Sequence, residues 1–321
     1  MNRLVRMPRR ILLLAIVLAL LGVLLMGVRT KTETRAQSAQ SDKSSAAAAG
    51  LQYLGSWGMK GSEPGHLAQP TCIATDALGD IFIPDAGSRF IHKFGFQGTP
   101  LLSFQDDWVK SPQSVAIDRG GAIYIADATR GGFSVFLPSG DRYRDLKLKT
   151  RPNAEDILGV TVADDGLIFV LDRNANQVLV YTPVFRLTQT WRPFANSADR
   201  ASAIAYGPDG YVYVLDGEDN RIGRFTESGH VVSEINARRQ GGNRRLGNQF
   251  AVANGSVFLM DGDGLTLHVF ASDGTPKFDF DLAPQLGREH RFVPALAVSP
   301  RRELLVLDSP GSRVLRYRIN F

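Results

Sequence analysis

Hydrophobic positions in this chain come in short runs, and the runs repeat. Six apolar segments each end on an aspartate: Ile81–Asp85, Ile123–Asp127, Ile168–Asp172, Val212–Asp216, Val257–Asp261 and Leu304–Asp308. Successive aspartates stand 42, 45, 44, 45 and 47 residues apart. Nine residues after each comes an aromatic ring (Phe94, Phe136, Tyr181, Phe225, Phe270, Tyr317), and in four repeats a glycine follows four residues later (Gly98, Gly140, Gly229, Gly274). A consecutive apolar run of this length, bounded by polar turns, predicts a strand covered on both faces. The glycine predicts the turn of a hairpin. Each unit therefore reads as four antiparallel strands, which in the first unit are Cys72–Asp76, Asp80–Asp85, Phe90–Gly95 and Pro100–Phe104. No helical period is sustained between the runs, which excludes a parallel α/β arrangement.

Six such units fit one closed architecture. Small sheets buried on both faces stack around an axis, so the expectation is an all-β, six-bladed β-propeller over residues 51–321. The last unit stops after its third strand, and Tyr53–Trp57 is expected to supply the fourth, removing two exposed edges. The segment Tyr211–Phe225 contains an apolar strand, Asp216, a short turn, Asn220-Arg221-Ile222 and Phe225. That order resembles the NHL repeat family, and the resemblance extends over residues 51–321. Family membership would imply a propeller that binds proteins or small ligands on one face, in extracytoplasmic sensors or scaffolds. NHL-like propellers also include RNA-binding proteins, lyases and lactonase-like hydrolases. The repeated aspartates themselves (Asp85, Asp127, Asp172, Asp216, Asp261, Asp308) are expected to be structural, accepting backbone N–H groups in the turns.

The N-terminal end follows a different pattern. Four arginines precede an uncharged stretch, Ile11–Val28, whose 18 residues would form roughly 27 Å of helix, close to the hydrocarbon thickness of a bilayer. Residues 1–28 are thus a membrane anchor or signal segment. The basic N-terminus favours an inside start, with the propeller on the extracytoplasmic side, or secreted after cleavage. Residues 29–50 lack aromatic residues and read as a flexible linker.

Charge changes the picture only once it is located. The net charge of +5 suggests a nucleic-acid partner, but residues 1–35 hold seven Lys or Arg and one Glu. Of the chain's 37 basic and 32 acidic residues, this leaves 30 and 31 for the remainder, a near-neutral body that argues against RNA.

Candidate chemistry is sparse. The turns after the second strands and the links between blades (58–70, 105–113, 147–157, 191–201, 236–249 and 282–294) share one face. Trp57, Trp108, Trp191 and Arg192 lie at or beside them, and the link Ala237–Arg245 carries Arg238, Arg239, Arg244 and Arg245. Trp and Arg are enriched at binding hot spots, and guanidinium groups grip anions in bidentate fashion. These eight residues are the candidate site for a protein or small-molecule ligand. The histidines (His66, His92, His230, His268, His290) show no metal-ligand spacing, and Cys72, the single cysteine, sits in an apolar run as a small core residue. No metal, cofactor or catalytic residue is expected. The leading function is a membrane-anchored binding or scaffold propeller, with a channel-centred lyase or lactonase-like hydrolase as the alternative.

Overall fold

The structure, a computed structural model, describes residues 50–129, 131–147, 157–194, 201–217, 219–237, 246–253, 255–287 and 295–321. The apolar segment Ile11–Val28 and all of the expected linker except Gly50 lie outside the described residues. No helix among the described residues is long and apolar enough to cross a membrane. Tyr53–Ile319 form one compact unit. In a separate unit that includes the flanking residues, the Asn320 backbone N–H donates to the Gly50 carbonyl at 3.0 Å.

Among the described residues, 24 strands form six four-stranded antiparallel sheets, the blades of a propeller. The strand β1 (Leu51–Trp57) belongs to the last blade. Blade 1 holds β2 (Ala74–Thr75), β3 (Ile81–Pro84), β4 (Phe90–Phe94) and β5 (Pro100–Gln105). Blade 2 holds β6 (Pro112–Ile117), β7 (Ile123–Asp127), β8 (Gly132–Phe136) and β9 (Arg142–Lys147). Blade 3 holds β10 (Ile157–Val162), β11 (Ile168–Asp172), β12 (Gln177–Tyr181) and β13 (Leu187–Trp191). Blade 4 holds β14 (Ala201–Tyr206), β15 (Val212–Asp216), β16 (Arg221–Phe225) and β17 (Val231–Asn236). Blade 5 holds β18 (Leu246–Ala253), β19 (Ser256–Asp261), β20 (Thr266–Ala271) and β21 (Pro276–Asp281). Blade 6 combines β22 (Ala295–Ser299), β23 (Glu303–Asp308) and β24 (Arg313–Ile319) with β1, which pairs with β24. The ring closes as the sequence predicts.

Why the second strands carry runs of consecutive apolar residues follows from the stacking. Side chains alternate between the two faces of a strand, and both faces here meet a neighbouring blade. Ile168 and Val170 of β11 pack with Tyr124, Ala126 and Val135 of blade 2. Phe169 and Leu171, one residue out of phase, pack with Val212 and Val214 of blade 4. Burying each of these side chains contributes about 1.5–3 kcal/mol. One first strand is shorter than expected: β2 spans only Ala74–Thr75, where Cys72–Asp76 was predicted. Pro84, which has no N–H, stands at the corresponding end of β3, and only an isolated bridge joins Pro70 to Asp85 beyond it.

The aromatic of each repeat, and the glycine in the four repeats that have it, lie at the seams between blades. The outer strand of one blade seats a large side chain on the aromatic ring of the next. Ring centroids are 4.8 Å apart for Trp57–Phe94, 5.2 Å for Phe104–Phe136, 5.1 Å for Trp191–Phe225 and 5.5 Å for Phe280–Tyr317. The repeat glycine lies under the same side chain. A Cβ at Gly98 would collide with Trp57, and one at Gly229 with Trp191. Both glycines also have positive φ, +90° and +83°. In blade 3 the equivalent residue is Phe185, which adopts φ 64° and packs near Phe133 and Tyr143.

Candidate functional site

Each repeated aspartate ends a second strand and turns its carboxylate back on the local backbone. In blades 1 and 2 it also holds the preceding link. Asp85 accepts N–H bonds from Gly87 and Ser88 of its own turn, both 2.9 Å, and from Ala68 and Gln69 of the link at 2.6 and 3.0 Å. Asp127 accepts from Thr129 at 2.9 Å and from Lys110 and Ser111, both at 2.7 Å. Asp172 accepts from Ala175 and Asp261 from Gly262. Asp216 and Asp308 each add an arginine, Arg221 at 3.3 Å and Arg313 at 2.8 Å. All six carboxylates are buried.

The inner strands enclose a channel of about 490 Å³ with wall residues from all six blades. Apolar residues such as Val115, Val160, Ile204, Phe250 and Leu296 line it but are buried, so polar atoms make up most of the surface that faces the channel. Several hydroxyls on it are already used to stitch blades together. Ser114 Oγ donates to the Val160 carbonyl at 3.3 Å, Thr75 Oγ1 donates to the Val298 carbonyl at 3.2 Å, and Thr161 Oγ1 accepts the Tyr206 N–H at 3.0 Å. The end of the channel on the link side is more polar. Gln113, Ser202 and Gln249 stand there, each in an irregular step where the inner strand enters its blade. Such bulges re-aim a side chain away from the regular alternation. Arg173, the residue after Asp172, completes this rim and is exposed.

The described wall residues include no carboxylate and no imidazole. Cys72 contributes a thiol, but it is buried, and burial pushes that thiol up to about 12. It is held protonated at neutral pH and is a poor nucleophile.

The candidate residues taken from the sequence separate into three groups. Trp57 and Trp191 fill blade seams, half-buried, and their indole N–H groups have no hydrogen-bond partner among the described residues. Trp108 lies in the link after blade 1, with the Arg142 guanidinium 5.4 Å and the Lys147 ammonium 5.3 Å from its ring. Arg192 is exposed at the end of β13. Arg238, Arg239, Arg244 and Arg245 lie outside the described residues, as does His290. The other histidines are away from the channel wall. His92 is fully buried, its Nδ1 2.8 Å from Ser103 Oγ, and burial lowers its pKa to about 4 despite nearby Asp85. His268 Nδ1 meets Asp279 at 2.7 Å, and His66 Nε2 lies 2.7 Å from Met59 Sδ. His230 sits on an exposed hairpin beside Ser228.

Sequence reasoning missed Arg173, although a signal was present. The residues after the six repeat aspartates are Ala86, Ala128, Arg173, Gly217, Gly262 and Ser309. Five are small, and the exception reaches the channel rim.

No protein-family model matches the chain, and no curated protein sequence matches it. Solved structures do share the fold. A streptogramin B lyase aligns with TM-score 0.62 at 12% identity, over 84% of this chain and 98% of that one. A catalytically inactive, histidine-to-alanine virginiamycin B lyase from Staphylococcus aureus, solved with quinupristin, aligns with TM-score 0.59 at 14% identity, over 78% and 80%. The selenomethionine-substituted enzyme from the same organism gives 0.57 at 16% identity, over 84% and 89%. At these identities the likeness is one of fold.

Proposed function

We propose that this protein is a binding propeller, held at a membrane by residues 11–28 with the propeller on the extracytoplasmic side. It takes up a protein or small-molecule ligand on the link-side face, around the mouth of the channel. The observation that carries this reading is the makeup of the described channel wall. Apolar side chains, amides, hydroxyls and one guanidinium suit recognition, whereas proton transfer requires a donor and acceptor of matched pKa near the reacting atoms. Trp108 and Arg192 border the same face, and the arginines at 238, 239, 244 and 245 are assigned to it from the sequence.

Affinity capture from solubilised membranes tests the proposal. Full-length protein is compared with a variant carrying alanine at Arg192, Arg238, Arg239, Arg244 and Arg245. A partner retained by the first and lost by the folded variant is the expected result. Identical capture by both would remove this face from the proposal.

The lyase neighbours support a second reading, a channel-centred lyase. Incubating the full chain with quinupristin and following its conversion by chromatography separates the two. The binding reading expects quinupristin to be recovered unchanged.

A further inference from the structure

We propose that the end of the propeller opposite the links rests on a lipid surface, through apolar side chains exposed around that end. The inference rests on the membrane reading above and adds which end of the propeller faces the bilayer.

Each blade has a link end, where the second strand finishes on its aspartate. At its other end, the hairpin end, the first strand turns into the second and the third into the fourth. Large hydrophobic side chains left exposed gather at the hairpin end. Ten are exposed among the described residues, and only Met59 stands in a link. Leu78, Leu137 and Val184 sit in hairpin turns, and Leu101, Leu187 and Val231 lie at the start of fourth strands. Single exposed apolar residues are ordinary, so the segregation to one end is what calls for a partner. A peptide fitted to a groove would use one blade or one seam. Here blades 1, 2, 3 and 4 all contribute, which suits a planar partner.

The path of the chain identifies the plane. Tyr53 of β1 packs on Tyr317, ring centroids 5.4 Å apart, near the hairpin end of β24. Gly58 lies against Ser312 and Arg313 at the other end. The strand β1 thus runs from the hairpin end to the link end, and the chain N-terminal to Tyr53 joins the propeller on the hairpin side. Ile11–Val28, the expected anchor, is tied to that end through residues 29–50. Read as a flexible chain, a linker of that length spans roughly 26 Å root-mean-square. Such a tether holds the hairpin end at high effective concentration beside the bilayer.

Charge decides the kind of lipid contact. Basic side chains at this end are largely engaged: Lys93 with Asp80, Arg119 with Asp164, Arg224 with Asp209 and Arg316 with Glu303, while Arg301 lies over the Phe96 ring. Anionic lipid is therefore not required, and the contact is shallow insertion of apolar side chains into the interface. The link end then faces away from the bilayer, open to a soluble ligand.

The test uses the full chain in phosphatidylcholine vesicles carrying a nitroxide near the lipid headgroup. Cys72 is buried, so a pyrene maleimide goes to an introduced thiol. The two positions are Gln97→Cys in a hairpin turn of blade 1 and Lys110→Cys in the link that follows, both exposed. Quenching at position 97 should exceed that at 110 about threefold or more, because interfacial contact reaches only about 5–10 Å into the headgroup region. Adding Leu101→Glu, Val184→Glu and Val231→Glu together should remove most of that difference, with flotation and thermal midpoint unchanged. Serine at the three positions replaces glutamate if the midpoint falls, with the same expectation. The inference is overturned by equal quenching at both positions, by stronger quenching at 110, or by quenching at 97 indifferent to the three substitutions. Quenching that appears only with phosphatidylglycerol and disappears in salt would also overturn it. So would pyrene excimer emission without nitroxide quenching, which would place a second copy on this end. A chain that fails to float with the vesicles defeats the membrane reading itself. A chain that floats with position 97 unquenched defeats only this inference.

Discussion

The seams between blades and the rim of the channel are built from the same strands, yet they use residues in opposite ways. At the seams, residue types recur: an aspartate at the end of the second strand, an aromatic nine positions on, and commonly a glycine four beyond that. At the rim they do not recur. Arg173 has no counterpart in the other five repeats, and Gln113 stands where Ser202 stands two blades on. Every seam poses the same steric problem, so its solution is copied around the ring. A ligand meets the axis once, so a residue that serves it need occur only once.

The strongest way to break this comparison is to fill a seam. Gly229 has φ +83° and lies under Trp191, so Gly229→Val adds both backbone strain and a collision. A loss of about 3–5 kcal/mol is expected, read as a lowered thermal midpoint. An unchanged midpoint would show that the recurring glycine is not a seam requirement. Removing a seam-side carboxylate comes next. Asp85→Ala leaves four backbone N–H groups without their acceptor and should cost about 2–4 kcal/mol, with Asp85→Asn losing less.

A third prediction concerns pH. His92 is buried neutral, and its folded pKa is lowered from 6.5 to about 4, so between those values the unfolded chain binds the extra proton. Stability should be intact above pH 6.5 and fall by up to about 1.4 kcal/mol per pH unit as the pH drops toward 4. Melting curves at pH 7 and pH 5 measure this, and a variant lacking the imidazole should lose that part of the slope. The smallest effect sharpens the rim side of the comparison. Arg173→Gln should shift stability by no more than about 0.5 kcal/mol, because the guanidinium is exposed and unpaired within the described residues.

What the sequence revealed divides along the same line. The six second strands and the closing role of Tyr53–Trp57 were legible because they recur or complete something that recurs. The place of Trp57 and Trp191 was not, because a seam joins adjacent repeats and its partners, such as Trp57 and Phe94, are far apart in the chain. Both tryptophans looked like candidates for a binding face, and in the structure their rings pack in the seams. Arg173 escaped notice for the converse reason: a search for repetition passes over the position that departs from it. The shortening of β2 lies where Pro70 bridges Asp85 and Pro84 ends β3, a pairing visible only after folding.

Closure of the ring also bears on how the protein is made. In blade 6, the strand nearest the N-terminal side lies beside the last strand of the chain. During synthesis the segment Tyr53–Trp57 must wait, with one edge unpaired, until Arg313–Ile319 has been produced. Five blades can stack before that moment, but the stack then ends in open strands, which invite pairing with other chains. A product that stalls or is cut short within its final strand therefore gains an adhesive edge, and its expected fate is aggregation.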